Sequence, residues 1–301
     1  MKNRPFIAAA VIPMLMLVML LSIIPILYNI YLSTTDMSLF HYHDYRFVGA
    51  ANYINLFTSP VSDFSRLFVW NVIYSLLCIL VPFVAGVAAA QMLAKSPRAM
   101  SAAARPLIVL PWVVPAFITI LVWKGLFNYH FGAVNGLLGA VGIEKVPWLI
   151  DPIPARISVL IVSVWLAIPF MTVSASGIMR SLPAGIFEAA WLDGAGPIRS
   201  FFSLTLPLVT RRMIPILVLG FTASFNNFTA IYLLTSGGPA YPGAVGGAGA
   251  TDIIISYIFK LTLMSRRYGL AAAYAVVVFA AVGIMTIAVM RGLRKRREET
   301  F

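Results

Sequence analysis

The sequence predicts an all-α polytopic membrane protein with six transmembrane helices, on three observations. Of its 301 residues 60% are hydrophobic and only 11% are charged, whereas soluble domains charge roughly a quarter of theirs to cover their surface. Mean hydropathy is +0.91. Apolar runs of about 20 residues, the length a helix needs to cross a bilayer, recur along the chain. Together these exclude a water-soluble enzyme, and the hydrophobicity excludes disorder.

In chain order the predicted spans are about 6–33, 67–94, 106–127, 156–180, 213–234 and 269–290, so that 1–301 reads as one transmembrane domain. The first run follows Lys2 and Arg4 as a signal peptide would, but it is too long for an h-region and no small-residue cleavage motif closes it. It is therefore read as a retained first helix. The stretch Asp252 to Met264 is too short to cross and reads as an interfacial or re-entrant helix.

A net charge of +12 would suit a nucleic-acid partner, but in a membrane protein the placement of Lys and Arg sets topology. With the N-terminus in the cytoplasm, the inside segments hold 14 of the 22 Lys and Arg, including the tail Arg291, Arg294, Lys295, Arg296 and Arg297. Both termini are thus expected inside. The tail reads as a topology and lipid-surface anchor, with no nucleic-acid partner.

Much familiar chemistry is missing. Asp36, Asp44, Asp63, Glu144, Asp151 and Asp252 fall outside, and Glu188, Asp193, Glu298 and Glu299 inside, so no carboxylate lies mid-membrane. Ion-coupled carriers usually hold an ionisable group within the bundle. An ion-coupled secondary carrier therefore stands only as the alternative, kept open by sodium sites built from carbonyls. No G-x-x-x-x-G-K-[ST] occurs, so no Walker loop for ATP. Gly237, Gly238, Gly243, Gly246, Gly247 and Gly249 read as a flexible external loop. His41 and His43 form an H-x-H without companions at metal-ligand spacing. The single Cys78 lies in an apolar run, and no histidine falls within a span to serve as a catalytic base. The expectation is a chain with no catalytic residue, no metal and no cofactor of its own.

The informative segment is 181–212, placed in the cytoplasm. Ser181 reads as an N-cap with Pro183 in the first turn, the helix running to about Leu192 and ending at Asp193-Gly194. Gly196-Pro197 then turns the chain into a second short helix carrying Phe201, Phe202 and Leu204, closed by Leu206-Pro207. Ile186, Phe187, Trp191 and Leu192 are apolar on a segment facing cytosol, beside the low relief of Ala189 and Ala190. A rigid helix of this kind suits docking into another protein; lying on the membrane surface is the other reading.

This segment resembles the EAA loop of binding-protein-dependent ABC importer permeases: Glu188-Ala189-Ala190, Gly194, then nine residues and Leu204-x-Leu206-Pro207, with Leu204 in place of isoleucine. The resemblance extends over about 106–290. Trp123-Lys124-Gly125-Leu126-Phe127-Asn128, Trp165-Leu166 with Pro169, and Asp193-Gly194-Ala195-Gly196-Pro197 are similar to the MalF-type subunit of maltose/maltodextrin importers. So are Phe225-Asn226-Asn227-Phe228, Leu233-Leu234-Thr235-x-Gly237-Gly238-Pro239 and Gly269-Leu270-Ala271-Ala272-Ala273. The resemblance implies a MetI-like permease fold and a coupling helix at Glu188, Ala189, Ala190, Asp193 and Gly194, gripped by an ATPase. It also implies a second homologous permease subunit, an ATPase dimer using ATP and Mg, and an extracytoplasmic sugar-binding protein, in a bacterial cytoplasmic (inner) membrane.

Two helix faces could line a sugar path, which needs hydroxyl and amide groups beside an apolar wall. Ser163, Leu166, Ala167 and Phe170 share one face at i, i+3, i+4, i+7; Gly220, Ala223, Ser224 and Asn227 share another. Ordinary small-residue helix packing is the plainer reading. In the MalF-type subunit these faces line the sugar site, where Asn227 keeps the family amide and Leu166 its apolar residue. Ser163 and Ser224 stand in place of asparagines, Phe170 in place of tyrosine and Ala223 in place of phenylalanine. The implied pocket is roomier, with fewer hydrogen bonds. Lys124, at the outer end of the third span, is read as snorkelling to the interface, with attraction of an acidic sugar as a second role.

Overall fold

The computed structural model describes residues 4–58, 63–241 and 247–298, with side chains between 11 and 292. Lys2, Gly243, Gly246 and Glu299, and the side chains of Arg4 and of Arg294 to Arg297, lie outside the described residues. The helices are α1 Arg4–Val18, a π-helical turn Met19–Ile23, α2 Ile24–Ser33, α3 Ala51–Thr58, α4 Phe64–Lys95, α5 Arg98–Val113 and α6 Ala116–Leu126. There follow α7 Ala133–Ala140, α8 Pro152–Arg180, α9 Ala184–Leu192, α10 Pro197–Ser200, a second π-helical turn Phe201–Thr205, α11 Leu206–Asn226, α12 Thr229–Thr235, α13 Ile254–Leu263 and α14 Tyr268–Glu298. Among the described residues extended pairing is confined to two isolated bridges, Thr35 with Phe47 and Ala240 with Gly249.

Five stretches are long and apolar enough to cross a membrane: Val11–Ser33, Phe64–Lys95, Pro152–Arg180, Pro197–Thr235 and Tyr268–Gly292. The pair α5 and α6 is apolar enough only when taken together and is bent by 94°, the geometry of a broken span or of a re-entrant loop. The third span is thus no straight helix over 106–127. Val114 is held extended (φ −93°, ψ 133°) because Pro115 follows it, and the proline ring clashes with a helical residue before it.

A second departure concerns Leu206-Pro207, which does not close a short helix. α10, the π turn and α11 run on as one rod. The Leu206 N–H donates to Phe201 O, five residues back, and Pro207 then sits in the first turn of α11. The wider turn accommodates a residue that has no N–H and whose ring crowds the preceding turn. The same device precedes Pro25, where Ile24 N–H donates to Met19 O. The predicted span 213–234 is in turn broken at Asn227, between α11 and α12.

The chain forms two compact units, Met1–Ser65 with Ile254–Arg291, and Arg66–Ile253 with Gly292–Phe301. In the first, an ideal Cβ on Gly269 would fall 2.0 Å from the Thr35 carbonyl oxygen, so only glycine lets α14 start against that turn. Asn52 Nδ2 donates to both Ser33 O and Thr35 O, and Tyr274 packs edge-on against Phe64 and Tyr257. The described apolar side chains of α1, such as Leu15, Met16 and Leu17, are largely exposed, as a lipid-facing helix requires.

In the second unit, α4, α8 and α11 pack a core of Ile79, Phe83, Val87, Met171, Ala175, Val209 and Met213. A Cβ on Gly86 would lie 2.6 Å from Met171 Cβ, so α4 and α8 touch backbone to backbone. At the opposite end of these two helices, the buried segment 248–253 is tied down. Arg156 Nε donates to Ala250 O (2.7 Å), Trp70 Nε1 to Thr251 O (3.2 Å), and the Arg156 guanidinium stacks on Trp70.

Candidate functional site: a polar cavity and an exposed helix

A cavity of about 270 Å³ opens within the second unit, walled by α4 (Tyr74, Cys78), α6 (Ala116, Ile120), α8 (Ser163, Leu166, Ala167), the end of α11 (Ser224), the break after it (Asn227) and the start of α12 (Thr229, Ala230). That is just under the about 300–1,000 Å³ of small-molecule sites. Every lining side chain is uncharged, and hydroxyl, amide and thiol groups alternate with apolar ones.

Five expected path residues meet here: Ser163, Leu166, Ala167, Ser224 and Asn227. Three do not. Phe170, beyond Pro169, leans on Trp112 with ring centroids 6.2 Å apart and is 44% exposed. Gly220 faces Ile79 of α4, whose Cδ1 would be 2.3 Å from an added Cβ. Ala223 is exposed. Tyr74, Cys78, Ala116, Ile120, Thr229 and Ala230 were not foreseen. The signal available for the first two was a stripe of Trp70, Tyr74 and Cys78 at i, i+4, i+8 on an apolar span.

The α11–α12 break is built by two asparagines. Asn227 Oδ1 accepts from Thr229 N–H (3.1 Å), an Asx turn that leads the chain into α12. The Phe225 carbonyl, left without a helical partner, accepts from Asn71 Nδ2 of α4 (3.2 Å). Asn227 thus has one lone pair of its oxygen engaged and lines the cavity. On the same lining the Tyr74 and Ser163 hydroxyls are 2.9 Å apart, and the Trp70 ring centroid lies 6.0 Å from that of Tyr74. Lys124 is exposed in the last turn of α6, away from this lining.

At the other end of α8 the chain turns into α9. Ser181 is not its N-cap: it terminates α8, its hydroxyl donating to Ile178 O (2.8 Å), and Pro183 starts α9 without a side-chain cap. Ser181 sits three residues before Ala184, too early to reach the first free N–H groups of α9 with its own backbone still ending α8. The C-terminal end is a Schellman turn: Gly194 takes φ +76°, its N–H donates to Trp191 O, and Ala195 N–H donates to Ala190 O. Phe187 packs onto the core of α4, α8 and α11, while Glu188, Ala189, Asp193 and Gly194 are exposed, with Trp191 77% and Leu192 79% exposed. A groove of about 350 Å³ runs beside them, lined by Phe187, Trp191, Gly194, Ala195, Gly196, Pro197 and Ser200. Two large apolar side chains left uncovered on a helix with a defined end mark a contact surface.

Residues 82–299 match the family described as "Binding-protein-dependent transport system inner membrane component". The chain is 37% identical over 254 residues to the maltose/maltodextrin transport system permease protein MalF of Salmonella typhimurium, covering 83% of this chain and 49% of that protein. It is 34% identical over 304 residues to the galactooligosaccharides transport system permease protein of Bacillus subtilis, covering 99% and 72%. The chain thus spans about half the length of the maltose permeases it matches. In fold it resembles a chain of a bacterial alginate ABC transporter crystallised with its pentasaccharide-bound periplasmic protein: TM-score 0.80 at 20% identity, covering 96% and 93%.

Proposed function

The chain belongs to the family of binding-protein-dependent transport system inner membrane components, and from that premise we propose that it is a permease subunit of an ATP-driven ABC importer for a sugar. The substrate class is a di- or oligosaccharide or a modified monosaccharide, handed over by an extracytoplasmic binding protein. The names of these two relatives concern maltodextrins and galactooligosaccharides, which supports the carbohydrate class. The cavity agrees in chemistry: uncharged hydroxyl and amide groups beside apolar ones suit a neutral polyol.

The assembly would add a second homologous permease and an ATPase dimer that hydrolyses ATP, in a bacterial inner membrane with both termini of this chain cytoplasmic. The observation that carries this reading is α9, with Glu188, Trp191 and Leu192 exposed and Phe187 seated on the core shared by α4, α8 and α11. Force applied to such a helix passes directly into three spans. ATPase closure would move α9 as a rigid body and turn the bundle so that the cavity opens outward.

The test is ATP hydrolysis by the co-expressed complex in lipid, with and without loaded binding protein, for wild type and Gly194→Pro. Proline cannot adopt φ +76°, so the end of α9 is lost while the spans are untouched. Stimulation by loaded binding protein in wild type, and its loss in an assembled mutant, is the expected result. Sugar movement in vesicles without any ATPase, driven by an ion gradient, would overturn the proposal.

A further inference from the structure

We propose that Tyr74 of α4, paired with Ser163 of α8, is a sugar-recognising group of the cavity and selects among sugars by one hydroxyl of the solute. The inference rests on the importer reading and adds to it a helix, α4, that neither expected face includes.

Tyr74 is 3% exposed, and what it presents is its hydroxyl end, at the cavity wall beside Ser163 and Cys78. Its ring is fixed from behind by Trp70 and its oxygen by the 2.9 Å bond to Ser163 Oγ. Two hydroxyls carry two protons, and their mutual bond uses one. The pair therefore keeps one donor and several lone pairs, and can both give and accept. A sugar hydroxyl does the same. A carboxylate or an ammonium would instead call for an opposite charge, and none lines this cavity.

Asn227 adds a second polar group to the lining. Its Oδ1 accepts from Thr229 N–H, which leaves it one lone pair and two amide N–H donors. A solute hydroxyl that reaches the Tyr74–Ser163 pair can both give and accept there, which fixes its orientation. Sites built to hydrogen-bond a particular hydroxyl reject the analogue lacking it far more strongly than apolar pockets discriminate by size, because the protein groups are then left unpaired. Tyr74 has two side-chain torsions, both already restrained, so little freedom is lost when solute arrives.

The experiment uses the assembled importer in proteoliposomes with saturating loaded binding protein. Initial uptake is measured for the transported sugar and for its deoxy analogues, each missing one hydroxyl, in wild type, Tyr74→Phe, Ser163→Ala and the double variant. Wild type is expected to discriminate against one analogue by about tenfold or more. Tyr74→Phe should erase that preference by slowing the parent sugar while leaving that analogue unchanged. Ser163→Ala should act in the same way, and the double variant should be no worse than either. Parallel loss for every sugar, or an intact preference in Tyr74→Phe, would each overturn the inference and leave the importer reading standing. A wild type that moves no sugar with ATP would instead overturn that reading itself, and the inference with it.

Discussion

Arg212 of α11 donates a 2.7 Å hydrogen bond to the hydroxyl of Ser181, and a 3.4 Å bond to its carbonyl, joining the two ends of the segment that carries α9. The segment is thereby a closed loop with a tied base, and α8 and α11 receive its displacement together. In Arg212→Ala and Ser181→Ala the fraction of ATP hydrolysis that responds to loaded binding protein should fall about fivefold, the equivalent of ~1 kcal/mol for one hydrogen bond. The double variant should match the singles. Equal loss of basal and stimulated hydrolysis would argue against a role for the tie.

Gly86 tests the contact between α4 and α8. A Cβ there would meet Met171 Cβ at 2.6 Å and the Met171 and Thr172 backbone at 2.7 and 2.8 Å. Gly86→Val should cost about 1–3 kcal/mol by prising the helices apart, seen as a lowered Tm in detergent. Gly136→Ala on α7, with nothing within 4 Å of the added carbon, should gain about 0.5–1 kcal/mol.

Asn71 holds the break between α11 and α12 from another helix. Asn71→Leu preserves volume but strands the Phe225 carbonyl in a buried site. A loss of about 1–3 kcal/mol in thermal stability is expected. Faster exchange should follow at the Thr229 amide, whose bond to Asn227 Oδ1 depends on the shape of this break.

Arg156 anchors 248–253 through a bond to Ala250 O and a guanidinium face 4.4 Å from the Trp70 centroid. Lysine keeps the charge and loses the planar stack. Arg156→Lys should raise hydrogen exchange at the buried amides of Ala250 and Thr251 about tenfold, the worth of ~1–2 kcal/mol of cation–π contact and hydrogen bond. Unchanged exchange would show that the Trp70 bond to Thr251 suffices.

Hydropathy makes the fold class legible, because six apolar stretches have few other ways to be buried. The end of α9 was legible too, since Asp193-Gly194 carries a local rule for helix termination. What stayed hidden has a common cause. Pro207, read as a stop, merely follows a π turn, and Pro115, inside the stretch read as a straight helix over 106–127, marks a 94° bend. Neighbouring helices and altered hydrogen bonding absorb such prolines inside a bundle. Tyr74 was missed because its partner Ser163 is 89 residues away, beyond any local periodicity. Ser181, which reads as an N-cap, is claimed by Ile178 and Arg212 instead.

The turn Phe201–Thr205 has a geometric consequence. A π turn holds one residue more than the α-helical path it replaces, and each residue of an α-helix rotates its face by about 100°. The azimuth of α10, and through it the groove beside Trp191, is therefore kept in step with the Ser224 face of α11 while the chain carries one residue more. Deleting one residue from 201–205 would let the rod close into regular helix with both faces still nearly in phase, whereas deleting one from the regular helix between Pro207 and Ser224 would swing everything before it about a quarter turn around the axis. The two ends of this subunit are phased like teeth on one shaft, and that phase is written in the count of residues as much as in their identity.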